Sequence, residues 1–129
     1  MSATNRLLQQ YLSALNSKNI DAIEQICGSH SLLEIPFIKP NRLLGNTEIV
    51  KAHRQIFANL ESIEFSLSAT ESSGSHAIGA GELRFTRGDG SSETLAAGIV
   101  AEAEEAGLLR ISLYCDARSI RPWSDKTIM

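Results

Sequence analysis

The hydrophobic residues change their spacing once, near residue 61, and that change constrains the fold more than any other feature of the chain. Before it they recur mostly with helical spacing, one short apolar run excepted. Leu7, Leu8, Tyr11, Leu12 and Leu15 make one apolar stripe on a helix. Asn16-Ser17-Lys18-Asn19 interrupts the pattern, and Asn19 is a good N-cap for a second, short helix carrying Ile20, Ile23, Ile26 and Cys27, ended by Gly28-Ser29. Residues 31–38 are apolar and bounded by turn formers, which predicts a strand, with Pro36 marking an edge position or a bulge. Residues 39–45 read as a loop. Asn46 then caps a third helix, with Glu48 near its positive end and a stripe of Ile49, Val50, His53, Ile56, Phe57 and Leu60.

After residue 61 the period becomes two. Ile63, Phe65, Leu67 and Ala69 alternate with polar residues, as on a half-buried strand. Residues 71–75 form a turn, 76–87 a strand, Gly88-Asp89-Gly90 a tight hairpin turn, 93–102 a strand, 104–107 a turn and 108–117 the last strand. Helices first and an antiparallel meander afterwards is an α+β layout.

The remaining bulk properties narrow the partners. At 129 residues the chain is the size of one domain, expected over 1–129 with a core at about 5–118 and a tail at 119–129. Such a chain hides roughly two-thirds of its unfolded surface and needs no staples. A net charge of −3 argues against nucleic acid as a partner, because phosphate binding wants a basic face. Cys27 and Cys115 sit in no CxxC pair and near no His cluster, so reduced thiols and neither metal nor other cofactor are expected. The first residues lack a signal-like apolar run, and no stretch approaches the roughly 20 apolar residues of a membrane span. The expectation is a cytoplasmic protein without a membrane partner.

Three phrases carry a resemblance. "YLSALNSKNIDAIEQI" (11–26), "LLEIPFIKPNRLLGNTEIVKAHRQIF" (32–57) and "GLLRISLYCD" (107–116) stand in the order and spacing of the nuclear-transport-factor-2-like, SnoaL-like superfamily, which the chain resembles over roughly residues 5–118. The resemblance implies a cone-like, strongly curved antiparallel sheet that encloses an apolar pocket with three N-terminal helices. The superfamily includes ketosteroid isomerases, limonene epoxide hydrolases, polyketide cyclases and dehydratases, so the fold alone does not assign a function.

Ketosteroid isomerases use an Asp base and an oxyanion hole made by a Tyr and a protonated Asp. The family's tyrosine falls on Tyr11, but the base position falls on Ile35 and the second acid near Ile99. Glu34 is next to the base position, and alternation points it to the other face. The acid and the Arg-x-Asp of the epoxide hydrolases fall near Leu113, Gly79 and Gly81, so that pattern is absent too. If Tyr11 and Ile35 face inward, as the resemblance implies, Glu82, Arg84 and Thr86, then Ala97, Ile99 and Ala101, then Ser112, Tyr114 and Asp116 share their hollow. Spacing places His53 inward as well, one turn from Ile49 and from Phe57.

The candidate catalytic residues are therefore Tyr11, His53 and Asp116. Ile35, Phe57, Glu82, Arg84, Ile99, Ser112 and Tyr114 are candidates for binding a small apolar molecule. Each also has a structural reading: His53 and Tyr11 as hydrogen-bonded core residues, Glu82 and Arg84 as a partly exposed ion pair, and Tyr114 and Asp116 at a sheet end. The expected functions are general acid–base isomerisation, cyclisation or dehydration of an apolar, carbonyl-bearing substrate, or non-catalytic ligand binding, or dimerisation. On this register the opposite face carries Leu83, Phe85, Ile111 and Leu113, which predicts a homodimer that covers them.

Overall fold

A computed structural model of the chain describes residues 3–35, 42–104 and 107–115. Helix α1 (Ala3–Asn16) and the short α2 (Ile20–Ile26) lead into β1 (Cys27–Glu34) and β2 (Arg42–Leu44), followed by α3 (Asn46–Asn59) and the meander β3 (Leu60–Ser73), β4 (His76–Arg87), β5 (Ser92–Glu104) and β6 (Gly107–Tyr114). The expected α+β class holds, and the sheet is strongly curved.

The helices begin and end for identifiable reasons. Leu8, Tyr11, Leu12 and Leu15 of α1 are buried, as the stripe predicts. Lys18 ends the turn after α1 in the left-handed region (φ 55°). Its ammonium reaches the Leu60 carbonyl at 2.8 Å. Asn19 caps α2, its side chain accepting from the Ala22 amide at 3.1 Å. The N-cap of α3 is Gly45, at φ 90°, and not Asn46. Gly45 is needed there because a side chain would be strained at that φ and would crowd the Ser29 carbonyl. Asn46 is instead the first helical residue, and its amide donates to the carbonyls of Glu24 (2.9 Å) and Cys27 (2.7 Å). Those bonds satisfy the end of α2, so the chain turns directly into β1 at Cys27, four residues before the expected start. Pro36 and Ile38, expected in that strand, lie outside the described residues.

The sheet has the order β2-β1-β6-β5-β4-β3. Two features differ from expectation. Part of the anticipated loop is β2, which pairs with Leu32–Glu34. The sheet is mixed rather than wholly antiparallel, because β1 lies parallel to β6. Helix α3 and the intervening meander make that long return possible. The four meander strands are antiparallel. At the β3 edge, the Asn16 side chain accepts from the Phe65 amide (2.7 Å) and donates to the Phe65 carbonyl (3.3 Å).

The ladders decide which residues face the helices. Ile99 stands opposite Leu113, Ala101 opposite Ile111, and Leu83 opposite Leu95. Partners on a ladder share a face, and these odd-numbered residues are buried, Leu95 only partly, together with Phe85, Ala97 and Cys115. The expected set on β5 therefore faces inward, but those on β4 and β6 do not. Glu82 and Arg84 point away from the helices and are exposed, and Tyr114 is 45% exposed. The reason is energetic: Leu83 and Phe85 gain roughly 1.5–3 kcal/mol each from burial, whereas burying unpaired charges costs more. Leu83, Phe85, Ile111 and Leu113 are consequently inside the protomer and offer no dimer surface. Among the described residues no helix is long and apolar enough to cross a membrane.

Glycines at two sheet positions should respond differently to an added methyl group. A Cβ at Gly81 would overlap the Ser66 backbone beside the irregularity between Leu67 and Ala69. At Gly98 it would meet only the Gly79 carbonyl oxygen at 3.7 Å. Urea denaturation should show Gly81→Ala costing roughly 1–3 kcal/mol, and Gly98→Ala changing stability by less than about 0.5 kcal/mol.

Candidate functional site

Two of the three expected catalytic residues meet. Tyr11 on α1 and His53 on α3 are 42 positions apart, yet the phenol oxygen lies 2.8 Å from His53 Nε2. His53 is fully buried and Tyr11 is 5% exposed. The other ring nitrogen, Nδ1, lies 2.8 Å from the Ile49 carbonyl oxygen, one helical turn earlier. A carbonyl can only accept, so Nδ1 carries the proton and Nε2 is left as the acceptor. Tyr11 is then the donor of the bond between the two side chains. The rings meet edge to face, with centroids 5.6 Å apart, and the Phe57 ring adds a second such contact at 6.0 Å from His53.

The surroundings of this pair are apolar. Ile35 and Ile99 are buried in the same core cluster as Tyr11, and Phe57 packs against it. The two positions onto or near which the resemblance would place the acids of ketosteroid isomerases are therefore buried and apolar. Among the described residues the buried polar side chains besides Tyr11 are Thr4, Ser31, His53 and Ser112, and no carboxylate is among them. Burial pushes the Tyr11 hydroxyl far above its ordinary value, with the Cys27 thiol adding to the effect. Burial likewise holds the His53 imidazolium down at about 4, against a smaller opposing contribution from the Ile49 carbonyl. Both groups are neutral at pH 7. Tyr11 keeps oxygen lone pairs that no bond uses, so the pair can accept a proton donor from a ligand and pass polarisation along to His53.

The other expected residues are placed elsewhere. Asp116 lies outside the described residues. Ser112 is buried, but on the side of the sheet away from the helices, where its hydroxyl donates to Glu34 at 3.1 Å. Glu34 also accepts from Arg110 Nε at 2.6 Å and from Arg42 Nε at 3.0 Å. Burial alone would raise the Glu34 carboxyl, but the hydrogen bonds from Arg110, Arg42 and Ser112 outweigh it and hold the group below its ordinary value. Alternation had placed Glu34 opposite Ile35. Its partners were not legible, because they come from β2 and from the parallel β1–β6 pairing. Among the described residues no three of His, Cys, Asp and Glu come together as a metal ion would require.

The state of His53 sets a pH dependence. Unfolding returns the ring to its ordinary value near 6.5. Between about pH 6.5 and 4 the unfolded chain therefore takes up a proton that the folded chain refuses. This contribution is whole above about 6.5 and is lost as the pH falls toward 4. Relative to a Tyr11→Phe/His53→Leu double variant, the wild type should lose roughly 2–3 kcal/mol more between pH 7 and 4.5 in urea titrations. Equal losses in the two proteins would mean that the imidazole is not buried neutral. Tyr11→Phe alone leaves Nε2 without its donor and should cost roughly 1–3 kcal/mol at pH 7.

No family model matches the sequence, and no curated protein matches it. Solved structures do. An NTF2-like protein of unknown function from Burkholderia pseudomallei superposes with a TM-score of 0.81 at 18% identity, covering 96% of this chain and 99% of that one. A putative SnoaL-like polyketide cyclase from Shewanella putrefaciens gives 0.81 at 12% identity, covering 98% of each chain. An LEH-like epoxide hydrolase from M. tuberculosis gives 0.79 at 14% identity, over 98% of this chain and 94% of the other. At such identities the likeness concerns architecture alone. With its helices over one face of a curved mixed sheet, the chain has the ketosteroid isomerase-like fold shared by SnoaL-like and NTF2-like proteins.

Proposed function

We propose that this protein binds a small, largely apolar molecule between the helices and the curved sheet, with the Tyr11–His53 pair as its polar anchor. One observation carries the reading: a 2.8 Å phenol–imidazole bond of fixed polarity lies in otherwise apolar surroundings. Binding sites for small molecules combine apolar surroundings with few, well-placed polar groups, and a ligand would reach this pair by parting the core packed around it, since Tyr11 is buried and His53 fully so. Ile35, Phe57 and Ile99 supply apolar surface. Tyr11 accepts a hydroxyl or enol proton from the ligand while donating its own to His53.

Binding without turnover fits this chemistry better than catalysis. A base works best when its pKa lies near the working pH, and His53 is held well below that. The isoleucines at positions 35 and 99 remove the proton acceptor and the donor that a steroid-type isomerisation uses. A second reading, acid–base turnover, is favoured by the relay itself, since a ligand hydroxyl, Tyr11 and His53 form a continuous path for one proton.

Native mass spectrometry of the gently purified protein should reveal a non-covalent small-molecule adduct. Calorimetric titration with a panel of hydroxylated alicyclic and aromatic compounds should find binders that Tyr11→Phe weakens roughly tenfold, the worth of about one hydrogen bond. Binding that is indifferent to Tyr11→Phe, or a panel and a purified protein both without any bound compound, would overturn the reading. Recovery of a chemically altered ligand, lost in His53→Gln, would replace it with turnover.

A further inference from the structure

The four residues expected at a dimer contact lie in the core, yet the outward face of β4, β5 and β6 is itself not that of a sheet open to water. At its centre Ala80 pairs with Gly98, and Ala96 lies opposite Glu82. Ala80 and Ala96 are exposed. Alanine and glycine are poor strand formers, because they give neighbouring side chains little to pack on. Here they floor a depression of about 760 Å³ with Tyr114 at its rim. Only three large hydrophobic side chains are exposed among the described residues, and two of them, Ile78 (55%) and Tyr114 (45%), lie on this face. An apolar concentration of that kind marks a surface that something covers.

We infer that a second copy of this chain covers the face, the two sheets packing about a twofold axis that runs along β5. In such a contact a residue on the axis meets its own copy, and a residue to one side meets the one equally far to the other side. The outward column of β5 is Thr94, Ala96, Gly98 and Val100, without a charge or a long side chain. These self-contacts therefore bring no like charges together. Glu102, next in the column, is tied to His76 of its own protomer at 3.2 Å. Tyr114 and Ala80 flank Gly98 in one row across three strands. The same axis thus lays Tyr114 of each copy over Ala80 of the other, so the ring that protrudes from one face enters the depression in its mate. Ile78 stands opposite Val100 and is covered with it. An axis along the strands also keeps the two sets of strands aligned, as face-packed sheets commonly are. The area suffices. Four strands at ~4.8 Å and about ten residues at ~3.3 Å span roughly 600 Å² in projection, before side-chain relief adds to it. A standard interface buries about 800 Å² per partner. A lone small molecule on the floor would leave Ile78 in water.

Light scattering and sedimentation of the full chain at micromolar concentration should give twice the mass of one chain. Ala96→Arg and Ala96→Glu each set two like charges face to face on the axis. Each should raise the dimer dissociation constant roughly a hundredfold or more, with the far-ultraviolet circular dichroism unchanged. Mixed in equal amounts, the two variants should pair again as a heterodimer. Tyr114→Ser removes the protruding ring and should weaken the dimer as well, so it serves if the Ala96 variants fail to fold. Leu44→Arg, at an exposed site on β2 away from the axis, should leave the dimer intact. Three results would each overturn the inference: a wild-type monomer at micromolar concentration; a dimer that Ala96→Arg and Tyr114→Ser leave unchanged, whatever Leu44→Arg does; or charged Ala96 variants that separate but do not pair with each other.

Discussion

Residues opposite one another on neighbouring strands must share a face of the sheet, and that requirement passes from ladder to ladder. Once Ile99 turns toward the helices, Gly79 and Leu113 must do so too. The same holds for Ala77 and Ile111 beside Ala101. The meander therefore behaves as one unit with two faces. One is apolar and packs under α1 and α3. The other is largely polar, apart from Ile78, Val100, Tyr114 and the small residues Ala80, Ala96 and Gly98. Every later property, including the position of the Tyr11–His53 pair, depends on which face is which.

Within the apolar layer the Tyr11–His53 bond is an exception that has to be satisfied completely. A phenol and an imidazole in such surroundings would each be costly alone. Together they answer each other, and the Ile49 carbonyl takes the remaining ring proton. The bond links the first helix to the third at one relative rotation, so it specifies how the helices sit on the sheet as well as what they present to it. The same closure makes the pair quiet chemically: neither group is charged at neutral pH.

Much of this was legible in the sequence, and what was not has a common cause. The stripe on α1, the Asn19 cap, the hairpin at Gly88-Asp89-Gly90 and the inward position of His53 all follow from local spacing, which is set within a few residues. The direction of the β4 and β6 side chains follows from pairing across the sheet, which spacing does not contain. Placing Glu82 and Tyr114 by likeness to relatives overrode a local signal, since Leu83 and Phe85 are the more apolar neighbours. The Glu34 cluster depends on β1 lying parallel to β6, a contact between residues 76 and 78 positions apart. The displaced start of β1 and the Gly45 cap likewise depend on a side chain, Asn46, reaching across to another helix.

Asn16 has a role that its place at the end of α1 would not announce. By holding both the amide and the carbonyl of Phe65, its side chain imitates the backbone of an absent neighbouring strand. A terminal strand with open backbone groups is a template on which other chains can stack. Here a single carboxamide closes one rung of that template, and the Lys18 ammonium occupies the Leu60 carbonyl at the strand's start. The turn after the first helix thus serves as a guard against intermolecular strand pairing on the flank where the sheet would otherwise invite it.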